Sequence, residues 1–146
     1  MPGTVHKYLN KISGPLLDRI DIQIEVVPVP FKELSNLNSG ETSENIRKRV
    51  SHARNIQTER YKNFKGIHSN SGLTSRLMKK YCNLNDDCME LLRNSMERLN
   101  LSARAYDRII KVSRTIADLE TSDTIQPHHV SEAINYRNLD RDNWGT

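Results

Sequence analysis

One arginine lies in a setting that favours chemistry on phosphate. Arg19 follows a Ser-Gly-Pro turn at 13–15, lies between Asp18 and Asp21, and precedes a stretch of alternating apolar residues. A guanidinium is always charged, and its planar fork of donors matches the oxygens of a phosphate group. The spacing is also met by a surface arginine that pairs locally with Asp18 or Asp21, which is the commoner outcome for such a residue.

A second set of basic residues falls on one face of a predicted helix. Arg104, Arg108 and Lys111 are spaced at i, i+4 and i+7, so they share a face of the helix predicted over 103–120. The apolar positions of this helix form a different stripe, namely Ala105, Ile109, Val112, Ile116 and Leu119. A basic face directed away from the core can bind phosphate or simply be solvated, and the charge pattern alone favours solvation.

The sequence lacks the elements that hold a nucleotide. It contains no Gly-x-x-x-x-Gly-Lys-Ser/Thr loop, whose backbone N–H groups would cradle phosphates. It also contains no run of four apolar residues ending in Asp-Glu that could hold Mg²⁺. We therefore expect that this chain alone neither binds ATP tightly nor hydrolyses it.

Metal chemistry is not indicated either. The five histidines form no His-x-x-x-His or Cys-x-x-His pattern. His128 and His129 are adjacent, so on a helix they should point about 100° apart, and we predict that both are surface residues and that no metal site is present. Cys82 and Cys88 fit neither a Cys-x-x-Cys pair nor a disulfide framework, so we expect reduced, partly buried thiols.

The composition indicates a helical protein with a modest core. Hydrophobic residues make up 36% of the 146 residues, and Gly (6) and Pro (5) are few. Residues 41–70 alone carry a surplus of four positive charges, which equals the net charge of +4 of the whole chain. A basic helix in this region could contact phosphate, an acidic partner or only water. No stretch approaches 18 apolar residues and no signal peptide is visible, so we expect a cytoplasmic protein without a membrane span.

The front of the chain predicts a short run of mixed elements. Residues 4–13 predict a helix, and Gly14-Pro15 breaks the chain. The alternation at 22–27 predicts a strand, which two following prolines end. Residues 35–43 are rich in Ser and Asn and predict a linker loop.

From residue 44 onward the apolar periodicity predicts one helix after another. The predicted helices are 44–62, 74–81, 85–99, 103–120 and 127–136, with a loop at 63–72. Candidate N-caps are Ser43, Asn85 and Ser102, and Pro127 suits a first turn. The stripe of the first helix is Ile46, Val50, Ala53 and Ile56 or Gln57. The chain thus divides into a front part (1–40) and a helical domain (41–146), in which the basic helix 44–62 precedes a bundle at 74–137.

Two segments of the sequence resemble a known family. The segment SGPLLDRID (13–21) resembles the arginine-finger segment of the magnesium-chelatase-like AAA+ ATPases of the ComM type. The segment LSARAYDRI (101–109), followed by RTIADLE (114–120), resembles the sensor-2 helix of the same family. A weaker match, GETSENIRKRV (40–50), lies in the expected order, and the resemblance extends from about Tyr8 to Arg141.

The resemblance implies a mainly α fold, in which the end of an AAA+ core (helix, turn and one strand) precedes a helical lid bundle. It implies that Arg19 is an arginine finger acting in trans on the γ-phosphate bound by a neighbouring subunit. It also implies that Arg104 is the sensor-2 arginine that reads nucleotide, with Arg108 as a second candidate. ATP and Mg²⁺ would be cofactors of the full-length protein and not of this chain, and the assembly would be a homo-oligomeric ring.

The substrate is less determined. The matched segments resemble the ComM-type members more than the members that insert metal into porphyrins. Since the ComM type is associated with DNA, the resemblance implies a motor that remodels DNA. Two alternatives stay open: a stand-alone nucleic-acid-binding module, whose affinity would fall steeply with salt, and a protein-interaction bundle, which oligomerisation would reveal. The DNA structure acted on, the ring size and whether Arg104 acts in cis or in trans are not determined by the sequence.

Overall fold

The described part of the chain is a helical bundle preceded by a short turn. A computed structural model describes residues 13–24, 26–30 and 40–137. The helices are α1 (Gly14–Leu17), α2 (Ser43–Tyr61), α3 (Ser75–Tyr81), α4 (Asp86–Arg98), α5 (Ala103–Leu119) and α6 (Pro127–Asn135), and a 3₁₀ turn (Asn70–Gly72) lies between α2 and α3. The mainly α prediction is confirmed. The helix predicted at 4–13, residues 35–39 of the predicted loop and the tail after Arg137 lie outside the described residues.

Side-chain caps explain where three of the described helices begin. The Asn85 Oδ1 accepts from the Cys88 N–H at 2.9 Å, and the Ser102 Oγ accepts from the Ala105 N–H at 3.2 Å, as predicted for both caps. Each bond satisfies a donor that has no partner inside the helix. The N-cap of α2 is Thr42 and not Ser43, since the Thr42 Oγ1 accepts from the Asn45 N–H at 3.3 Å.

Helix α5 lies at the centre of the bundle. It packs against α2, α6 and the 3₁₀ turn, while α4 packs against α6. Three members of its predicted stripe, Ala105, Ile109 and Ile116, are buried. Because neighbours surround α5, it also buries polar residues outside the stripe, namely Ser113, Arg114 and Asp118. The core is completed by apolar side chains from α3, α4 and α6.

The strand predicted at 22–27 was wrong for the residues that the structure describes there, which form no strand. A strand needs a neighbour to pair with. Here the Gln23 N–H bonds instead to the Tyr136 carbonyl at the end of α6, at 2.9 Å. Alternate apolar side chains of the segment remain exposed, including Ile22, Ile24 and Val26. The prolines that follow remove further N–H donors from this stretch.

The predicted stripe of α2 is buried only in its second half. Ala53 and Gln57 are buried, whereas Ile46 and Val50 are 41% and 47% exposed, contrary to prediction. Every residue from 43 to 50 is exposed, so the first two turns of α2 extend beyond the bundle.

Within the described residues, no helix combines the length and the apolar character that crossing a membrane requires.

Candidate functional site

Arg19 lies in the turn that follows α1, with its side chain exposed. Its Nη1 donates a hydrogen bond to the Pro15 carbonyl oxygen at 3.2 Å. None of the ion pairs between described residues includes Arg19, so the local pairing with Asp18 or Asp21 that the spacing also allowed is not formed among them. With respect to the described residues, most donors of the guanidinium therefore remain available to an anionic ligand.

Asp21 pairs with Arg108 of α5 instead. The Arg108 Nη1 donates to the Asp21 Oδ1 in a short contact, and the two side chains are 31% and 51% exposed. This contact places the segment that follows Arg19 against the basic face of α5. Arg108 is consequently engaged within the chain and is not simply presented to solvent.

The other two members of the basic face differ from each other. The Lys111 Nζ donates to the Ser71 carbonyl at 3.0 Å, so this residue braces the 3₁₀ turn. Arg104, in the first turn of α5, is exposed and makes no hydrogen bond or ion pair with another described residue. Arg19 and Arg104 are therefore the two candidate site residues whose guanidinium groups are largely uncommitted within the described structure.

A buried ionic network behind this face was missed by sequence reasoning. The Asp118 carboxylate, which is fully buried, accepts two bonds from Arg60 at 2.5 and 2.8 Å and one from the Asn70 amide at 2.8 Å. Arg114 adds a bond from Nε at 3.1 Å and also donates to the carbonyls of Ser122 and Asp123. The network joins α2, the 3₁₀ turn and α5.

The electrostatics of the network favour its charged form. Partial burial alone would lower the pKa of Arg60, but its hydrogen bonds with Asp118 and Tyr61 raise that pKa above its usual value. A carboxylate this deep is tolerated only because charged and polar donors surround it. The i, i+4 spacing of Arg114 and Asp118 was the available sequence signal, but such pairs are usually on surfaces.

Comparisons with known proteins decide the family. The family profile described as "Magnesium chelatase, subunit ChlI C-terminal" matches residues 40–137, and that described as "Magnesium chelatase, subunit ChlI" matches residues 1–34. The chain belongs to the magnesium-chelatase-like AAA+ family. This membership confirms the resemblance inferred from the two arginine-bearing segments.

The magnesium-chelatase-like chain also aligns with longer curated proteins. Over 141 residues it is 43% identical to Competence protein ComM of Haemophilus influenzae and 40% identical to the uncharacterized protein YifB of Salmonella typhimurium. Both alignments cover 96% of this chain and 27% of the relative. A match to the uncharacterized protein Rv2897c of Mycobacterium tuberculosis is 30% identical over 135 residues, covering 92% of this chain and 26% of that protein. The chain thus spans about a quarter of the length of these relatives.

A histidine cluster in the same chain corrects one prediction. The rings of His128 and His129 were expected to diverge at the surface, but both Nε2 atoms contact the Glu120 Oε2, at 2.9 and 2.8 Å, and His129 is fully buried. The Gln126 N–H donates to the His129 Nδ1 at 2.9 Å, so the proton of the neutral ring is on Nε2 and is donated to Glu120. A metal ion at Nε2 would have to displace that proton, and we assign the cluster to capping α6.

Proposed function

We propose that this chain is the carboxy-terminal portion of a magnesium-chelatase-like ATPase, with residues 1–40 as the end of the ATPase core and 41–146 as its lid. Arg19 then acts as the arginine finger in trans, and Arg104 acts as the sensor-2 arginine. The observation that carries the proposal is the state of Arg19: its side chain is exposed and outside every described ion pair, while Asp21 beside it is held by α5. Arg108 is a second candidate, but its ion pair with Asp21 would have to open first.

ATP and Mg²⁺ are implied by the family, and the residues present fit part of that requirement. The sequence contains no phosphate-cradling loop, so the cradle belongs to the longer protein. Among the described residues, by contrast, the exposed Arg19 and Arg104 guanidiniums keep donors that no other side chain occupies and that suit phosphate oxygens. Bound Mg-ATP would supply the transferable γ-phosphoryl group. The part of this chain would be to present positive charge where negative charge develops, a contribution worth roughly 10³–10⁵ in rate for an arginine finger.

We further propose a homo-oligomeric assembly, because a finger that acts in trans requires an adjacent subunit. DNA is the proposed substrate. Two observations support it: one relative bears the name Competence protein ComM, and the exposed first turns of α2 carry Arg47, Lys48 and Arg49. Lys48 is paired with Glu44 and Arg49 with Glu41, which reduces the net positive charge of the helix.

We place the protein in the cytoplasm, where buried thiols such as Cys82 and Cys88 stay reduced.

A mixing experiment with the full-length protein tests the finger. Arg19→Ala should leave ATP binding nearly intact and remove most hydrolysis, because the lost charge acts on the phosphate of another subunit. A second variant, broken only in the upstream phosphate-binding loop, should be inactive for a different reason. Mixed rings contain interfaces that join an intact loop to an intact Arg19, so ATPase activity should reappear on mixing.

The controls separate the proposal from simpler explanations. Arg19→Lys should not restore much activity, since an ammonium lacks the planar fork of donors. Arg93→Ala, an exposed arginine on α4, should leave hydrolysis unchanged. If rings mixed from the two inactive variants stay as inactive as each alone, Arg19 does not act in trans.

A further inference from the structure

The described isoleucines that follow Arg19 are only partly buried. Ile20, Ile22 and Ile24 are 39%, 49% and 68% exposed. A cavity of about 280 Å³ lies between this segment and the helices, bordered by Asp21 and Ile22 on one side and by residues of α5 and α6 on the other. Because the apolar side chains make incomplete contact, other forces must fix the segment on the bundle.

Polar contacts at three successive points supply that fixation. The Arg137 Nη1 donates to the Ile20 carbonyl at 2.5 Å, one residue after Arg19, and Arg137 is only 1% exposed. The side chain of Asp21 bonds to Arg108. The Gln23 N–H donates to the Tyr136 carbonyl at 2.9 Å. We call these three contacts the clamp.

The contacts of the clamp differ in strength. The bond from Arg137 involves a charged donor that is removed from water, where hydrogen bonds are stronger and harder to replace by solvent. The ion pair of Arg108 and Asp21 is partly exposed and screened. Arg137 is therefore the member of the clamp expected to determine where the backbone at Ile20, and with it Arg19, is held.

We propose that Arg137 is a positioning residue for Arg19. The clamp then fixes the segment that carries Arg19 to the helical bundle, so that the two move together. This inference rests on the proposed function, in which Arg19 contacts a neighbour's nucleotide. Arg137 is almost fully buried, so in this proposal it acts through the Ile20 carbonyl and not on nucleotide. Its role is to hold the Ile20 carbonyl, while the Asp21–Arg108 pair sets the rotation of the same segment. A shift of the lid is thereby transmitted to the finger presented to the next subunit.

Rings mixed from two variant subunits, a donor and an acceptor, test this role when Arg137→Met is placed in one of the two at a time. The donor subunit has a broken phosphate loop and an intact Arg19, and the acceptor has an intact loop and Arg19→Ala. Arg137→Met in the donor should lower the restored kcat by roughly 10- to 100-fold, because a misplacement near 1 Å costs about that much, and should leave the KM for ATP unchanged. The same change in the acceptor should have no effect, since that subunit has no finger to position.

This design separates a positioning role from a structural one. An Arg137→Met substitution that merely damaged the lid would lower activity from either position, and equal losses would overturn the proposal. If Arg137→Met lowers activity neither in the donor nor in the acceptor, the proposal is overturned as well. Arg93→Met, the same change at an exposed site on α4, serves as the matched control. If the ring shows no restored activity even before Arg137 is changed, the trans finger itself fails, and the positioning role fails with it.

A charge exchange gives a second test that does not depend on how Arg137→Met folds. In the donor, Asp21→Arg and Arg108→Asp should each lower the restored kcat, and the double substitution should recover much of it. If Arg108 instead reads the phosphate bound by the neighbouring acceptor, the double substitution stays inactive, which contradicts the clamp.

Amide hydrogen exchange in the 146-residue chain checks the contact without any ATPase assay. Arg137→Lys keeps a charged donor near the Ile20 carbonyl, so it should preserve protection of the Gln23 amide better than Arg137→Met. The amide of Ile109 serves as the internal reference for global stability. Unchanged protection of Gln23 in Arg137→Met would show that the clamp does not hold the segment.

Discussion

Two carboxylate–arginine contacts join distant parts of this chain, and they lie in opposite environments. Asp118 is fully buried between α2 and α5 and accepts from Arg60, Arg114 and Asn70. Asp21 is 51% exposed and contacts Arg108 at the edge of α5. The first contact has excluded water, whereas the second remains within reach of it.

The same carboxylate–arginine chemistry serves two purposes in these two environments. In low dielectric a satisfied ionic network fixes a unique arrangement, and losing one partner strands the others without solvent. At the surface the same pair contributes little free energy but can still set a position. We therefore expect the bundle to depend on Asp118 for stability, and the front segment (18–24, which carries Arg19) to use Asp21 for its orientation.

The largest expected effect is at Asp118. Asp118→Ala should lower the free energy of unfolding by about 3–5 kcal/mol, because it leaves the buried Arg114 and the partly buried Arg60 without their carboxylate. Urea denaturation followed by circular dichroism measures the change. Asp107→Ala on the exposed side of the same helix should shift stability by no more than about 0.5 kcal/mol. Similar losses in the two variants would show that the network is not special.

Apolar residues should show the same contrast between the two regions. Ile109→Ala should cost about 2–5 kcal/mol, since Ile109 is 1% exposed in the centre of the bundle. Ile24→Ala should cost less than about 0.5 kcal/mol, since Ile24 is 68% exposed. Both variants make the same chemical change, so their unfolding midpoints can be compared directly. A large loss at Ile24 would indicate that the front segment belongs to the cooperative core.

Local signals predicted most of the bundle. The caps Asn85 and Ser102, the apolar spacing along α5 and Pro127 at the start of α6 are each determined by neighbours in sequence, and the structure confirms them. Contacts over long sequence distances explain the misses. The strand at 22–27 depended on a pairing partner, and the stripe of α2 depended on how far the bundle extends.

The candidate site divides in the same way. Arg19 and Arg104 were found by resemblance, and their exposure is compatible with that reading. The partners of Arg108 and Arg137 could not be found, because Asp21 and Ile20 are 87 and 117 residues away in sequence. No periodicity within one helix predicts such contacts, and arginines are assigned to solvent by default.

The exposed pair itself should matter little to global stability. Asp21→Asn should lower the free energy of unfolding by about 0–1 kcal/mol, because water replaces the lost partner of Arg108. The measurement is the same urea denaturation, with Asp18→Asn as a matched control in the same segment. A loss approaching that of Asp118→Ala would mean that the front segment is part of what holds the bundle together.

The smallest expected effect concerns a third carboxylate, Glu120, at the end of α5. Hydrogen bonds from His128, which has the larger effect, and from His129 lower the pKa of Glu120 below its usual 4.5. A carboxylate with a lowered pKa in the folded state stabilises the fold fully above its unfolded pKa. That contribution is lost as the pH falls through the folded pKa.

Comparing the pH dependence of two chains isolates this contribution. Wild type should be more stable than Glu120→Gln above pH 4.5, and the two stability curves should converge in more acidic solution, because both side chains are then neutral. Other carboxylates titrate alike in both chains and cancel in the difference. Urea midpoints between about pH 3 and pH 7 are sufficient to follow it. A difference that stays constant across this range would mean that Glu120 caps α6 through its shape and not through its charge.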